Sequence, residues 1–127
     1  MVIVEGWMLG YEEIPESDLL FKEEGMIEVN RLQKQYAENW HPYFDACILV
    51  GIEDTDYVYD WREQAEIEQR RSKGLGSLSS EQIRQFCYRF MLSYKNYLNL
   101  LMMHGIKSVD RCLKFYLSKD RVPYIKE

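Results

Sequence analysis

The sharpest chemical candidate in this sequence is Glu5, set behind the apolar run Val2-Ile3-Val4 and in front of Gly6. A carboxylate at the carboxyl end of a buried strand can hold Mg²⁺, directly or through water, or take a proton from a substrate hydroxyl. The bland alternative is a loop or helix-dipole contact. A second group is cationic: Arg62, Arg70, Arg71 and Lys73. Arg62 and the Arg70/Arg71 pair stand about two turns apart on one helical segment. Guanidinium groups so placed can clamp phosphate oxygens bidentately and neutralise transition-state charge. Gly74 and Gly76 would let the segment close as a lid. The competing reading is a solvated helix face, with Glu63, Glu66 and Glu68 pairing these cations at i, i+4 spacing.

Other chemistries find little support. No G-x-x-x-x-G-K-[ST] loop occurs anywhere, so nothing in this sequence cradles nucleotide phosphates. His41 and His104 have no Ser, Cys or Asp arrangement that would make them catalytic, and no paired carboxylates of glycosidase type are present. Cys47, Cys87 and Cys112 are odd in number, far apart and in apolar surroundings, which fits reduced, buried thiols better than a disulfide framework. With no C-x-x-C, zinc is not expected. Trp40, Tyr57, Trp61, Phe86, Phe90 and Tyr94 recur at helical spacing and read as core.

The elements that must position these groups follow from periodicity. Val2–Val4 reads as a buried parallel strand, followed by a loop through Gly10 and Pro15. Met26, Val29, Leu32, Tyr36 and Trp40 recur every three or four positions, an amphipathic helix ended near His41-Pro42. Ala46–Ile52 is a continuous apolar run, as in a strand buried on both faces. Glu53-Asp54-Thr55-Asp56 supplies an N-cap and acids for a helix from Tyr57 to about Arg70. Residues 72–77 form a flexible connection. Ser79-Ser80-Glu81-Gln82 has capping-box form, opening a helix whose apolar face runs from Ile83 to Leu101 and which Gly105 stops. Cys112–Leu117 is a last strand. This β-α-β-α-α-β order predicts a parallel sheet with functional groups at Glu5-Gly6, Glu53-Asp54 and Ser118–Arg121, the carboxyl ends of its strands.

A chain of 127 residues makes one domain, 1–127. Its formal charge of −5 argues against a nucleic-acid backbone as partner. Residues 12–28 carry six Glu and one Asp against one Lys, a solvated acidic run, whereas Arg70-Arg71-Ser72-Lys73 is the local anion-binding candidate. No apolar run is long enough to span a bilayer.

Several of these segments resemble one family. Glu5–Tyr11 (EGWMLGY) is similar to the EGWxxGF segment of the D-glycerate 3-kinases, P-loop kinases related more distantly to uridine kinase and phosphoribulokinase. The likeness continues through Val29-Asn30, Tyr36, Trp40 and Asp45-Ala46. It is densest at Tyr57–Arg70 (YVYDWREQAEIEQR), and extends over GLGSLSSEQIRQFCYRFMLSYKNYL and Asp120-Arg121-Val122-Pro123. The resemblance implies an α/β fold, the C-terminal strands and helices of a three-layer α/β/α P-loop kinase sheet without the P-loop strand. It implies phosphorylation of D-glycerate by ATP with Mg²⁺, with no tightly bound cofactor. Glu5 then lies by the metal and acceptor, and Gly6 and Trp7 in the substrate loop. Arg62 acts catalytically, Arg70, Arg71 and Lys73 bind phosphate, and Asp120, Arg121 and Pro123 lie near the adenine. Leu78, Gly51 and Ser118 depart from the family's usual Met, Lys and acid.

Without the phosphate-binding loop, the chain alone is expected to be inactive. Its sheet edges are expected to be exposed, which favours homo-oligomers. The expected compartment is the cytoplasm, or an organelle if an upstream targeting segment is missing. The alternative reading is a non-catalytic interaction module, a kinase remnant that self-associates.

Overall fold

The computed structural model describes residues 1–73 and 78–126, the side chains of Glu24 and Lys73 excepted. In chain order it contains helix α1 (Glu24–Asn39), strand β1 (Cys47–Ile52) and helix α2 (Tyr57–Lys73). Helix α3 (Ser80–Ser93), a π-helical turn (Tyr94–Leu98) and helix α4 (Asn99–His104) follow one another without a break, and strands β2 (Cys112–Leu117) and β3 (Pro123–Tyr124) come after the connection 105–111. The fold is mixed α/β. The sheet order is β1-β2-β3, with β1 parallel to β2 in the register Cys47↔Cys112 to Ile52↔Leu117, and β3 antiparallel to β2.

Val2–Val4, expected as the first strand, is extended chain outside any sheet, and all three residues are exposed. A strand forms only where a neighbour takes its main-chain hydrogen bonds, and among the described residues none lies beside it. The antiparallel β3 was not expected. The β2–β3 turn forms because Arg121 adopts φ 60°, while Arg121 donates its backbone N–H to Ser118 O and Ser118 donates its own to Val122 O.

Helices cover one face of the sheet. Leu49 and Gly51 point to that face, where Leu101, Met102, Ile106, Tyr11 and Tyr97 form the core. A Cβ on Gly51 would come within 2.7 Å of the Tyr116 ring and 2.9 Å of Met102 Cε. The Lys common at this position in the resembling family has no room here. On the opposite face Ile48, Val50 and Leu113 are exposed. The continuous apolar run 46–52 thus forms a strand buried on one face, not on both. Of the expected three layers, the described residues supply the sheet and one helical layer.

The capping box is present in both directions: Ser79 Oγ accepts from Gln82 N, and Gln82 Oε1 accepts from Ser79 N. It starts α3 where the sequence placed it. Gly105, at φ 75°, closes α4 with its N–H donated to Leu101 O. Between them the π-helical turn shifts the helical phase by one residue, which brings Asn96, Tyr97 and Leu98 inward together.

Helix α1 buries only the start of the apolar pattern expected for it, Met26 with Val29 packed against the core, and turns the rest outward. Met26, Asn30 and Gln33 are buried, while Leu32, Tyr36 and Trp40 are exposed. The reason is polar. Asn30 Oδ1 accepts from Ile14 N and from Tyr97 Oη, and its Nδ2 donates to Ile14 O. These bonds fix the helix rotation against the loop, since an unpaired buried amide would cost about 1–3 kcal/mol.

The cysteines also depart from expectation. The β1–β2 register sets Cys47 opposite Cys112 with Cα atoms 4.7 Å apart, and the two form a disulfide. Spacing in sequence conceals this, because two cysteines that parallel pairing makes neighbours stand 65 positions apart in the chain. Cys87 remains a free, buried thiol, and burial pushes its pKa up.

Candidate functional site

Two groups of candidate residues meet helix α2 on different faces. On the face toward α3, Arg62 forms an ion pair with the buried Glu66 one turn on, and its guanidinium lies 5.2 Å from the centre of the Phe86 ring. Arg62 Nε is buried and has no hydrogen-bond partner among the described residues. From Phe86 a run of aromatic contacts continues along α3. Phe86 and Phe90 are 5.0 Å apart, and Phe90 lies 4.9 Å from Trp7 in an edge-to-face contact. Trp7 also leans on Tyr94 at 5.7 Å. Trp7 and Arg62, 55 positions apart in sequence (62 − 7), are thus joined through two phenylalanines.

The loop that carries Trp7 is a tight turn. Leu9 N donates to Gly6 O and Tyr11 N to Met8 O. Gly10 takes φ 93°, and a Cβ there would press on Ile106 Cδ1 at 2.9 Å. Tyr11 then enters the core beside Tyr97 with ring centres 5.3 Å apart. Burial is the main reason the hydroxyls of both tyrosines titrate above their usual range, Tyr97 at about 12. The Tyr97 hydroxyl therefore stays protonated and available as the donor to Asn30. Farther along, Asn96 Oδ1 accepts from Leu20 N at 2.8 Å and from Phe21 N at 3.4 Å. Neither Asn30 nor Asn96 is among the candidate site residues of the sequence reading; for Asn30 the available signal was its place in the Val29-Asn30 pair of the family resemblance.

Glu5 precedes this turn and is exposed. No hydrogen bond or ion pair of Glu5 occurs among the described residues, so its carboxylate is available to a ligand. Among the described residues no three His, Cys, Asp or Glu side chains gather closely enough to hold a metal by themselves. A single carboxylate is nonetheless what Mg²⁺ commonly takes from a protein when substrate phosphates and water fill its other positions.

The second face of α2 receives the β2–β3 turn. Trp61 Nε1 donates to Lys119 O at 2.8 Å, and Arg121 lies 5.4 Å over the Trp61 ring while donating to Gln64 Oε1. Lys119 pairs with Asp60 at 3.0 Å, which is the main reason its ammonium is held above the usual range. Asp120 and Pro123 are exposed at this turn. Arg121 is thus a docking residue of the turn as well as a candidate ligand contact, and its left-handed backbone aims it at Trp61.

Arg70 lines a cleft of about 310 Å³ between α2 and α3, with Glu63, Glu66, Ser79, Ser80 and Ile83. Ser80 donates to Glu63 across this cleft at 2.6 Å. Arg71 is exposed. The side chain of Lys73 and the glycines of the expected lid lie outside the described residues. The structure therefore brings Trp7 and Arg62 together and sets the Asp120–Pro123 turn on the other side of α2.

This architecture is shared with a kinase. The chain superposes on a solved D-glycerate 3-kinase from Cryptococcus neoformans var. grubii with a TM-score of 0.80 at 23% identity, covering 96% of this chain and 47% of that one. Its sequence is homologous to a stretch of D-glycerate 3-kinase: the chloroplastic enzyme of Arabidopsis thaliana is 34% identical over 128 residues, across 98% of this chain and 28% of that protein. A probable ATP-dependent kinase of Saccharomyces cerevisiae, TDA10, is 36% identical over 104 residues, 76% of this chain and 35% of the relative. No protein-family profile matches. The chain spans well under half the length of these two relatives. No helix among the described residues is long and apolar enough to cross a membrane.

Proposed function

We propose that this chain is the C-terminal, acceptor-side part of a glycerate-kinase-like phosphotransferase that passes a phosphoryl group from ATP to D-glycerate, giving 3-phosphoglycerate. The observation that carries this reading is the 34% identity to a D-glycerate 3-kinase over 98% of the chain. Glu5 sits beside the acceptor and Mg²⁺ and takes the proton from the attacking hydroxyl. Mg²⁺, when bound, offsets negative charge on the phosphate oxygens.

Gly6 and Trp7 form the floor of the acceptor site, and the packing of Trp7 on Phe90 supports a rigid placement of that loop. Arg62, Arg70, Arg71 and Lys73 neutralise the transferring phosphoryl group. Asp120, Arg121 and Pro123 contact the base. The sequence contains no phosphate-binding loop, so these residues act only with that loop supplied.

The test is an assay of ATP-dependent D-glycerate phosphorylation by this chain joined to an ATP-binding portion. Glu5→Gln should lower kcat by roughly 10²–10⁴-fold, the usual worth of a general base, with little change in Tm. A folded, joined protein that turns over no sugar acid removes the substrate reading.

A further inference from the structure

A second cleft, of about 350 Å³, opens beside α3 and is lined by Tyr59, Glu81, Arg84, Gln85, Tyr88 and Arg89. Arg84 and Tyr88 stand about one turn apart, and helical geometry puts both roughly 160° round the helix from Phe86. The contacts that join Arg62, Phe86, Phe90 and Trp7 share no residue with this cleft. Its charges are unevenly engaged. Glu81 accepts from Gln85 Nε2 at 3.1 Å, and Glu23 accepts from Tyr88 Oη at 3.0 Å. Both carboxylates are thus held by neutral donors. No ion pair or hydrogen bond of the exposed Arg84 and Arg89 side chains occurs among the described residues. Tyr59 is half-buried, and its hydroxyl likewise has no hydrogen-bond partner there. Burial holds that hydroxyl above its usual range, Asp56 and Cys87 add to the rise, and the nearby Arg84 charge opposes it. It therefore remains a donor at neutral pH.

We infer that this cleft binds a small phosphate dianion, with Arg84 and Arg89 as its cationic donors and the Tyr59 hydroxyl as a third. A guanidinium fork matches two phosphate oxygens, and a phosphate group has oxygens enough for two forks and a phenol, whereas a carboxylate has two in all. Glu23 and Glu81 repel any anion, and their bonds to Tyr88 and Gln85 keep them on those partners rather than on the arginines. Because Arg84 and Arg89 are exposed, the affinity falls as salt is raised. None of the residues assigned above to phosphoryl transfer takes part, so the inference stands apart from the kinase reading. The phosphate group is common to inorganic phosphate and to phosphate esters, and the two are told apart by titrating each.

The experiment titrates inorganic phosphate, and in parallel glycerol 2-phosphate, into the isotope-labelled chain at about pH 7.5, where the ester is chiefly a dianion. Chloride at matched ionic strength is the reference. Saturable NMR shifts of the Arg84 and Arg89 Cζ resonances and of the amides of residues 84–89 are expected with both phosphates and not with chloride. A tighter ester assigns the site to phosphate esters, and equal affinities assign it to the phosphate group alone. Arg84→Gln with Arg89→Gln should raise the Kd at least about tenfold, since two charge-assisted contacts are lost, and leave Tm unchanged. Tyr59→Phe should raise it a few-fold. Arg70→Gln with Arg71→Gln should leave it as it was. Shifts that do not saturate, that chloride reproduces, or that vanish with Arg70 and Arg71 instead of Arg84 and Arg89 overturn the inference. If the Arg84 and Arg89 double variant does not fold, the unsubstituted chain decides alone: saturable shifts that fall outside this cleft overturn it too.

Discussion

The Tyr97 hydroxyl donates to Asn30 Oδ1 across 3.0 Å, where Asn30 has no solvent exposure. The same oxygen accepts from Ile14 N, and the Asn30 amide returns a bond to Ile14 O. One side chain thus ties the loop behind the Trp7 turn to α1 and to the π-helical turn. Asn30→Ala removes three bonds and leaves the Ile14 backbone groups and the Tyr97 hydroxyl unpaired. It should cost about 2–4 kcal/mol, whereas Tyr97→Phe should cost about 1 kcal/mol. Denaturant unfolding measures both; equal small effects would show that the loop is held by other contacts.

Gly51 is required by packing. Adding a Cβ crowds Tyr116 and Met102, so Gly51→Ala should lose about 1–3 kcal/mol. Gly51→Lys should lose more. A neutral Gly51→Ala in thermal unfolding would mean that the Tyr116 ring moves aside freely.

His41 is buried, and among the described residues neither ring nitrogen has a hydrogen-bond partner. Burial lowers its pKa from 6.5, partly offset by the charge of Glu12. The unfolded chain then binds a proton more readily than the folded one. Stability contributed by this site is complete above about pH 6.5 and falls as pH drops through that value toward the lowered folded pKa. His41→Asn should flatten the decline in Tm over that window, a comparison that differential scanning calorimetry can make.

Arg62 has a structural partner in Glu66, so Arg62→Ala strands a buried carboxylate and should lower stability by about 1–3 kcal/mol. Pairing it with Glu66→Gln should recover much of that loss. In a joined, active enzyme, a drop in kcat that persists in the recovered double variant would assign Arg62 a phosphate-facing role. Full recovery of kcat would make it a helix residue alone.

The disulfide gives a direct count. Thiol titration of the denatured, unreduced chain should find one reactive thiol, Cys87, and three after reduction. Reduction should also lower Tm, because the bond closes a loop spanning 65 positions. Three thiols before reduction would mean that Cys47 and Cys112 face each other unbonded.

Much of the local structure was legible. The Ser79–Gln82 box, the Gly105 stop, β1, β2 and helix α2 all appear where residue type demands them, because each depends on neighbours within a few positions. The failures share a cause. Val2–Val4 has strand composition but no pairing partner, and Leu32, Tyr36 and Trp40 keep their periodicity but lose the burial to Asn30 and Gln33. Periodicity reports what a segment would bury given a neighbour, not whether the neighbour is there.

The caps, the apolar runs and the EGW and WREQAE segments that carry the likeness to glycerate kinases can all be read from residue order, since these are local in composition. That Trp7 meets Arg62 through Phe90 and Phe86, that Arg121 sits over Trp61, and that Cys47 faces Cys112 emerges from the folded chain alone. Those relationships depend on strand register, helix rotation and the π-helical turn. All three are set by packing between segments far apart in the chain.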